Sequence, residues 1–146
     1  MKLVRLARAR WDVLATLTDD GEFCDVLDFL LEKRYGQQAA RRGLFAFLRE
    51  SVPFHGPQED NPELCQRMRP FEDGVYEFRK QPSRGQKVRV LFFKDGHRII
   101  CVSGFLKTDT TPRRKLSEAV ASRQRYFEDR RRGNIEIIDL DKEKPT

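Results

Sequence analysis

Residues 89–107 read RVLFFKDGHRIICVSGFLK: two dense apolar runs, a turn dipeptide between them, and a basic residue at each end. Both runs are rich in β-branched and aromatic residues, and Asp95-Gly96 is a strong hairpin signal, so the stretch is expected to be a β-hairpin. With Asp95-Gly96 as a two-residue turn, Lys94 would face His97 and Arg89 would face Val102. Strict alternation then puts Arg89, Leu91 and Phe93 on one face, with Ile100, Val102, Gly104 and Leu106 on the same face of the partner strand. Lys107 falls on the other face. Arg89 and Lys107 can converge only if the second strand changes parity near its end. Ser103-Gly104 is the expected place, because a glycine within a strand often marks a bulge.

Upstream, GVYEFRK (74–80) alternates and reads as a third antiparallel strand. Glu77 and Arg79 lie two apart, so they share a face, and Arg89 would join them there. A guanidinium holds a phosphate through two parallel hydrogen bonds and stays charged at any cellular pH. A carboxylate at such a site could take a proton from a ribose hydroxyl, although cations beside it work against that role. A cross-strand Glu–Arg salt-bridge ladder accounts for the same residues without any chemistry. Phe92, Phe93 and Phe105 read as core in preference to base-stacking residues, and Trp11 and Cys101 also read as core or near-core.

Composition points the same way. Of 146 residues, 36% are charged, and the net charge is +6 with an isoelectric point near 9.5. Such a balance suits a polyanion such as nucleic acid, or an acidic partner; a well-solvated charged surface is the alternative. Charges interrupt every apolar run, so no membrane span is expected. MKLVRLARARW lacks the apolar run of a secretory signal, and the acidic TDDGE soon after it argues against a transit peptide, so a cytoplasmic location is expected. Cys24, Cys65 and Cys101 are widely spaced, with no CxxC, and His55 and His97 stand far apart. Neither a structural zinc site nor a disulfide framework is expected, and no cofactor.

The remaining elements follow from periodicity. KLVRLARARW offers a short strand with imperfect alternation. In EFCDVLDFLLEKRYG, Phe23, Val26, Leu27, Leu30 and Leu31 recur at helical spacing. A second helix is expected from about Gln37 to Ser51, burying Ala40, Leu44, Phe47 and Leu48, with Pro53 stopping it. PFHGPQEDNPE reads as a loop. A last helix is expected after Thr111, as cap, and Pro112, burying Leu116, Ala119, Val120 and Phe127. The fold class is therefore α+β: a small antiparallel sheet with N-terminal helices packed on one face and a C-terminal helix. Residues 1–128 are expected to form a single domain, and 129–146 a tail holding one edge strand before a disordered end.

DGVYEFR, RVLFF, VSGFLK and TPRRKLSEAV, taken in that order, resemble the HigB-like, phage-related branch of the RelE/ParE toxin superfamily. The matching positions are Gly74 to Arg79, Val88 to Phe93, Ser103 to Lys107, Thr111-Pro112 and Glu118-Ala119, and order and spacing agree over roughly residues 20–127. The resemblance implies a RelE-like fold and the toxin of a type II toxin–antitoxin system. Its activity would be metal-independent endoribonucleolytic cleavage of mRNA, in association with the ribosome. Its partners would be a helix-turn-helix antitoxin, mRNA and the ribosome, with no membrane, in a homo-oligomer or a toxin–antitoxin hetero-oligomer.

At matching positions, Arg79 and Arg89 would hold the scissile phosphate and Lys107 would stabilise developing charge or protonate the leaving oxygen. Glu77 is the candidate base, with His97 a poorer one. Lys80, Lys87, Arg113 and Arg114 are candidate RNA-binding residues, and Lys115, Arg123 and Arg125 could add backbone contacts. The sequence departs from the family pattern at Thr108, where a second lysine is usual, and at Val88, where a tyrosine is usual. Leu116 stands about where related nucleases carry Tyr or His, and Tyr126 lies some ten residues on. A same-fold protein that inhibits a target such as gyrase by docking, or a phage-derived RNA-binding module, are therefore the alternative functions.

Overall fold

The computed structural model of the protein describes residues 1–67 and 74–140. In chain order the elements are β1 (Lys2–Arg8), β2 (Asp12–Thr16), α1 (Asp25–Leu31), α2 (Gln38–Glu50), the single turn α3 (Val52–His55) and β3 (Cys65–Arg67). Then follow β4 (Val75–Lys80), β5 (Lys87–Asp95), β6 (Arg98–Lys107), α4 (Arg113–Arg131) and β7 (Glu136–Asp139). Among the described residues seven strands form one sheet, in the order β3-β4-β5-β6-β2-β1-β7.

The α+β class is as expected, but the sheet is larger and mixed. The expected first strand is a hairpin, β1 with β2, and β2 joins the centre by running parallel to β6. The tail's strand β7 pairs in parallel with β1, and α4 runs through residue 128 to Arg131. Arg5 ties that edge together: its Nε lies 2.7 Å from Asp12 Oδ1 and its Nη1 2.7 Å from Asp139 Oδ1.

Helices cover both faces. α1 and α2 pack Val26, Leu30, Leu44 and Leu48 against Val88, Val90, Phe92, Ile99 and Cys101. α4 packs Leu116, Ala119 and Tyr126 against Leu91, Phe93, Ile100, Val102 and Phe105 on the opposite face. Each such side chain, fully buried, contributes about 1.5–3 kcal/mol by leaving water. The connection between α1 and α2 is held by Arg41, which is itself fully buried. Its guanidinium donates to the carbonyls of Phe29, Gly36 and Tyr35 at 2.7, 2.7 and 2.6 Å, replacing the water lost on burial.

The hairpin differs from its expected register in one instructive way. Asp95 pairs with Arg98, so the turn residues are Gly96 and His97, and Gly96 takes a positive φ of 58°. Asp95 is held in the strand because its carboxylate accepts from Tyr126 Oη at 2.7 Å and from Arg130. Farther along, Phe92 pairs with Cys101 but Leu91 with Ser103, leaving Val102 as an extra residue on β6. That bulge is the required change of parity, one residue before Ser103-Gly104. Beyond it Ser103, Phe105 and Lys107 share the face of Arg89, while Gly104 and Leu106 turn to the α1 side, contrary to the expected assignment. Gly104 has a different reason to be glycine: a Cβ there would meet Phe29 Cδ2 at 2.3 Å.

Candidate phosphate-binding site

The bulge in β6 and the alternation of β4 and β5 bring Glu77, Arg79, Arg89 and Lys107 together on the α4-side face. Arg79 pairs directly with Arg89, and Lys87 with Lys107. Glu77 is fully buried at the middle of the group. Its Oε1 lies 3.0 Å from Arg79 Nε, 3.2 Å from Arg89 Nε and 3.6 Å from Lys107 Nζ. Its Oε2 accepts from Thr111 Oγ1 at 3.0 Å. Thr111, expected as a helix cap, thus serves the carboxylate instead, and Pro112 takes the N-cap position of α4.

Each arginine is fixed by a second partner. Arg79 Nη1 donates to the carbonyl of Pro62 at 2.9 Å. Arg89 Nη1 donates to the carbonyl of Val88 at 2.9 Å, and its Nη2 to Gln81 Oε1 at 3.3 Å. Arg89 Nε is buried with no aligned acceptor among the described residues, so its contact with Glu77 is an ion pair without a well-formed hydrogen bond. Burial pulls the Arg89 guanidinium below the usual arginine range; Glu77 opposes that shift and Arg79 adds to it. An arginine so placed is still charged at cellular pH.

Among the described residues three cations crowd one carboxylate, so positive charge is in excess at the cluster. Arg79 and Arg89, but not Lys107 or Glu77, border an open pocket of about 550 Å³ lined also by Lys80, Gln81 and Lys87, and walled by Pro62, Glu63 and Leu64 from the preceding loop. A structural ladder would set opposite charges across from each other. Here arginine faces arginine and lysine faces lysine, a pairing that costs stability and that the single Glu77 carboxylate offsets only in part.

Of the other candidates, Lys80 and Lys87 line this pocket. Arg113 and Arg114 are exposed at the start of α4 and do not line it, and Arg114 Nε lies 3.4 Å from Glu118. His97 is exposed at the hairpin turn, its ring 4.8 Å from that of Trp11. Tyr126 is fully buried, bonded to Asp95 and to Arg98. Glu77 pairs with Leu91, four positions along β5 from Asp95, about 13 Å, so neither His97 nor Tyr126 supplies a proton donor at Glu77. Gln81 and the Pro62 carbonyl were not legible in advance, since a polar loop residue and a backbone oxygen carry no spacing signal. Phe92, Phe93 and Phe105 are buried core residues, as are all three cysteines, whose thiols are free. No helix among the described residues is long and apolar enough to cross a membrane.

No curated protein and no solved structure matches the chain. The family model described as phage derived protein Gp49-like (DUF891) matches residues 36–124, from just before α2 to the middle of α4. The match takes in the hairpin, all four clustered residues and Thr111, and covers more than half of the sequence. The chain belongs to the phage-derived Gp49-like family, which is related to the toxins of toxin–antitoxin systems.

Proposed function

We propose that the protein is the toxin of a type II toxin–antitoxin pair and cleaves mRNA at the Glu77 cluster without a metal ion. The observation that carries this reading is the crowding of Arg79, Arg89 and Lys107 around the single Glu77 carboxylate, with Arg79 facing Arg89 and Lys87 facing Lys107 across the sheet. Such a set gains most from binding a phosphodiester in the adjoining pocket. The reaction is attack of a ribose 2′-oxygen on the neighbouring phosphorus. The new P–O2′ bond forms as the P–O5′ bond breaks, leaving a 2′,3′-cyclic phosphate and a 5′-hydroxyl.

Arg79 and Arg89 hold the non-bridging oxygens in line, and Lys107 protonates the departing O5′. Positioning and charge stabilisation supply most of the acceleration in such a reaction. Glu77 orients the cations: one of its oxygens faces all three, and the other accepts from Thr111. The proton of the 2′-hydroxyl then passes to solvent. Lys80 and Lys87 extend the grip along the RNA backbone. The cell-level setting is the cytoplasm, on translating ribosomes, with a helix-turn-helix antitoxin as the neutralising partner.

The engagement of both Glu77 oxygens also favours a second reading, in which the same basic pocket binds RNA or another target without cutting it. Induction of the protein alone, followed by growth measurement and primer extension on cellular mRNA, separates the two. Arrest with truncated mRNA, relieved by Arg89→Ala, supports the nuclease; arrest with intact mRNA supports the binding protein; no arrest removes the toxin assignment.

A further inference from the structure

We infer that the surface beside the start of α1 is a docking site for a basic amphipathic segment of a protein partner. It lies on the β2 side of β6, shares no lining residue with the pocket beside the Glu77 cluster, and does not depend on the reaction proposed there. Phe23, just before α1, is 44% exposed, one of two large apolar side chains left exposed among the described residues. Phe23 and Leu17 line two adjoining hollows, so the two form one continuous surface.

The first hollow, about 420 Å³, runs between the end of β2, the bulge of β6 and α4. It holds Ser103, whose side chain is buried and whose Oγ has no hydrogen-bond partner among the described residues. A buried hydroxyl left unsatisfied costs stability, and a ligand that bonds to it recovers that cost. Asp25, Glu118, Thr16 and Ser122 border the same space. Asp25 uses Oδ2 to accept the Gly104 amide at 3.2 Å. Glu118 meets Arg114 only in an exposed pair, 3.4 Å long, of the kind worth little in water. The hollow therefore offers carboxylates and hydroxyls for a lysine or arginine head, and Phe23, Val102 and Ala121 for its methylene stem.

The second hollow, about 370 Å³, is apolar at its floor, with Val4, Leu27, Leu31, Ile138 and Leu140, and is bordered by Glu22, Asp28 and Glu32. Asp28 is already engaged by Arg34 and Tyr35, so Glu22 and Glu32 carry the unpaired charge. Among the described residues no basic side chain lines either hollow. On a chain of net charge +6, this is a patch of the opposite sign. An apolar floor with an acidic rim complements a segment with Leu-like residues on one face and Arg or Lys beside them. Nucleic acid is repelled by the same rim.

The test uses the full chain and two synthetic helical peptides that share leucines at i, i+3, i+4 and i+7. One carries arginines beside the leucines, the other glutamates. Fluorescence anisotropy should show the arginine peptide binding the wild type at least about tenfold more tightly than the glutamate peptide. Phe23→Ser and Glu118→Arg, both exposed positions, should each weaken it by a similar factor while leaving the thermal unfolding midpoint unchanged, and Phe23→Ser should leave RNA binding unchanged as well. Equal binding of the two peptides, no binding of either, or arginine-peptide binding indifferent to both substitutions would overturn the inference. So would a concentration-dependent dimer abolished by Phe23→Ser, which assigns the surface to a second copy of the chain.

Discussion

Arg79 and Arg89 stand directly opposite each other across β4 and β5, and both lean on one oxygen, Glu77 Oε1, at 3.0 and 3.2 Å. Lys107 reaches the same oxygen from β6 at 3.6 Å. The carboxylate is thus the hub that lets like charges share a buried place, and the excess charge it leaves faces the pocket.

Removing that hub should destabilise the fold. Glu77→Gln keeps the shape but leaves the cations repelling one another, with an expected loss of about 3 kcal/mol, typical of breaking a buried ion pair. Urea unfolding would measure it. The deficit should shrink when phosphate is added, because the anion takes over the missing charge; a loss below about 0.5 kcal/mol, the scale of ordinary surface substitutions, would mean the cluster is solvated and independent.

At Gly104 the constraint is steric. Gly104→Ala places a methyl 2.3 Å from Phe29 Cδ2, so the ring or the strand must move. Overpacking of this kind costs about 1–3 kcal/mol. In the double variant with Phe29→Leu, the alanine should cost clearly less, since the smaller side chain gives way. Additive losses in denaturant unfolding would show that Phe29 is not what the glycine accommodates.

Arg41 gives the α1–α2 connection its shape. Arg41→Met fills similar space but leaves three carbonyls without this donor, of which the Phe29 carbonyl is buried, and an unsatisfied buried group costs about 1–3 kcal/mol. The expected result is a lower unfolding midpoint, with early loss of amide protection in residues 29–37. A variant as stable as the wild type would show that water satisfies those carbonyls.

Acid should act partly through Asp95. Burial alone would raise its carboxyl, but hydrogen bonds from Arg130 and Tyr126, with the charges of Arg130 and Arg98, outweigh burial and hold it below the usual range. A carboxyl depressed by folding stabilises above its unfolded value, and that contribution is lost as pH falls through the folded value. Wild-type stability should therefore fall below about pH 4 more steeply than that of Asp95→Asn, the two curves converging in acid. Parallel curves in urea titrations across this range would refute the assignment.

The hairpin at 89–107 was legible because its two strands are long and densely apolar, and the need for a parity change followed from alternation alone. The position of the bulge was not, because Gly104 answers to Phe29, a residue on α1 some seventy-five positions earlier. The turn slipped by one residue because Asp95 is held by Tyr126 and Arg130, partners that no local pattern reveals. β1 was legible despite its irregularity, a register shift between Arg5 and Ala7, whereas β2 was not, being five residues with no alternation in burial. β3 has three residues, too few for any period. In the candidate site, the shared face of Glu77, Arg79 and Arg89 was readable from spacing. The roles of Thr111, Gln81 and the Pro62 carbonyl depend on how the loops return to the sheet, and are visible only in three dimensions.

The most direct test of the central claim is end-group analysis of a synthetic mRNA incubated with the purified protein and programmed ribosomes in the presence of a chelator. The expected products carry 2′,3′-cyclic phosphate and 5′-hydroxyl ends. A single 2′-deoxy substitution at the cleaved position should abolish cleavage, and Arg89→Ala should reduce it by about 10²-fold, as for loss of one preorganised charge contact. Intact mRNA with the wild type, or cleavage that persists at the 2′-deoxy position or is unchanged in Arg89→Ala, would contradict the account.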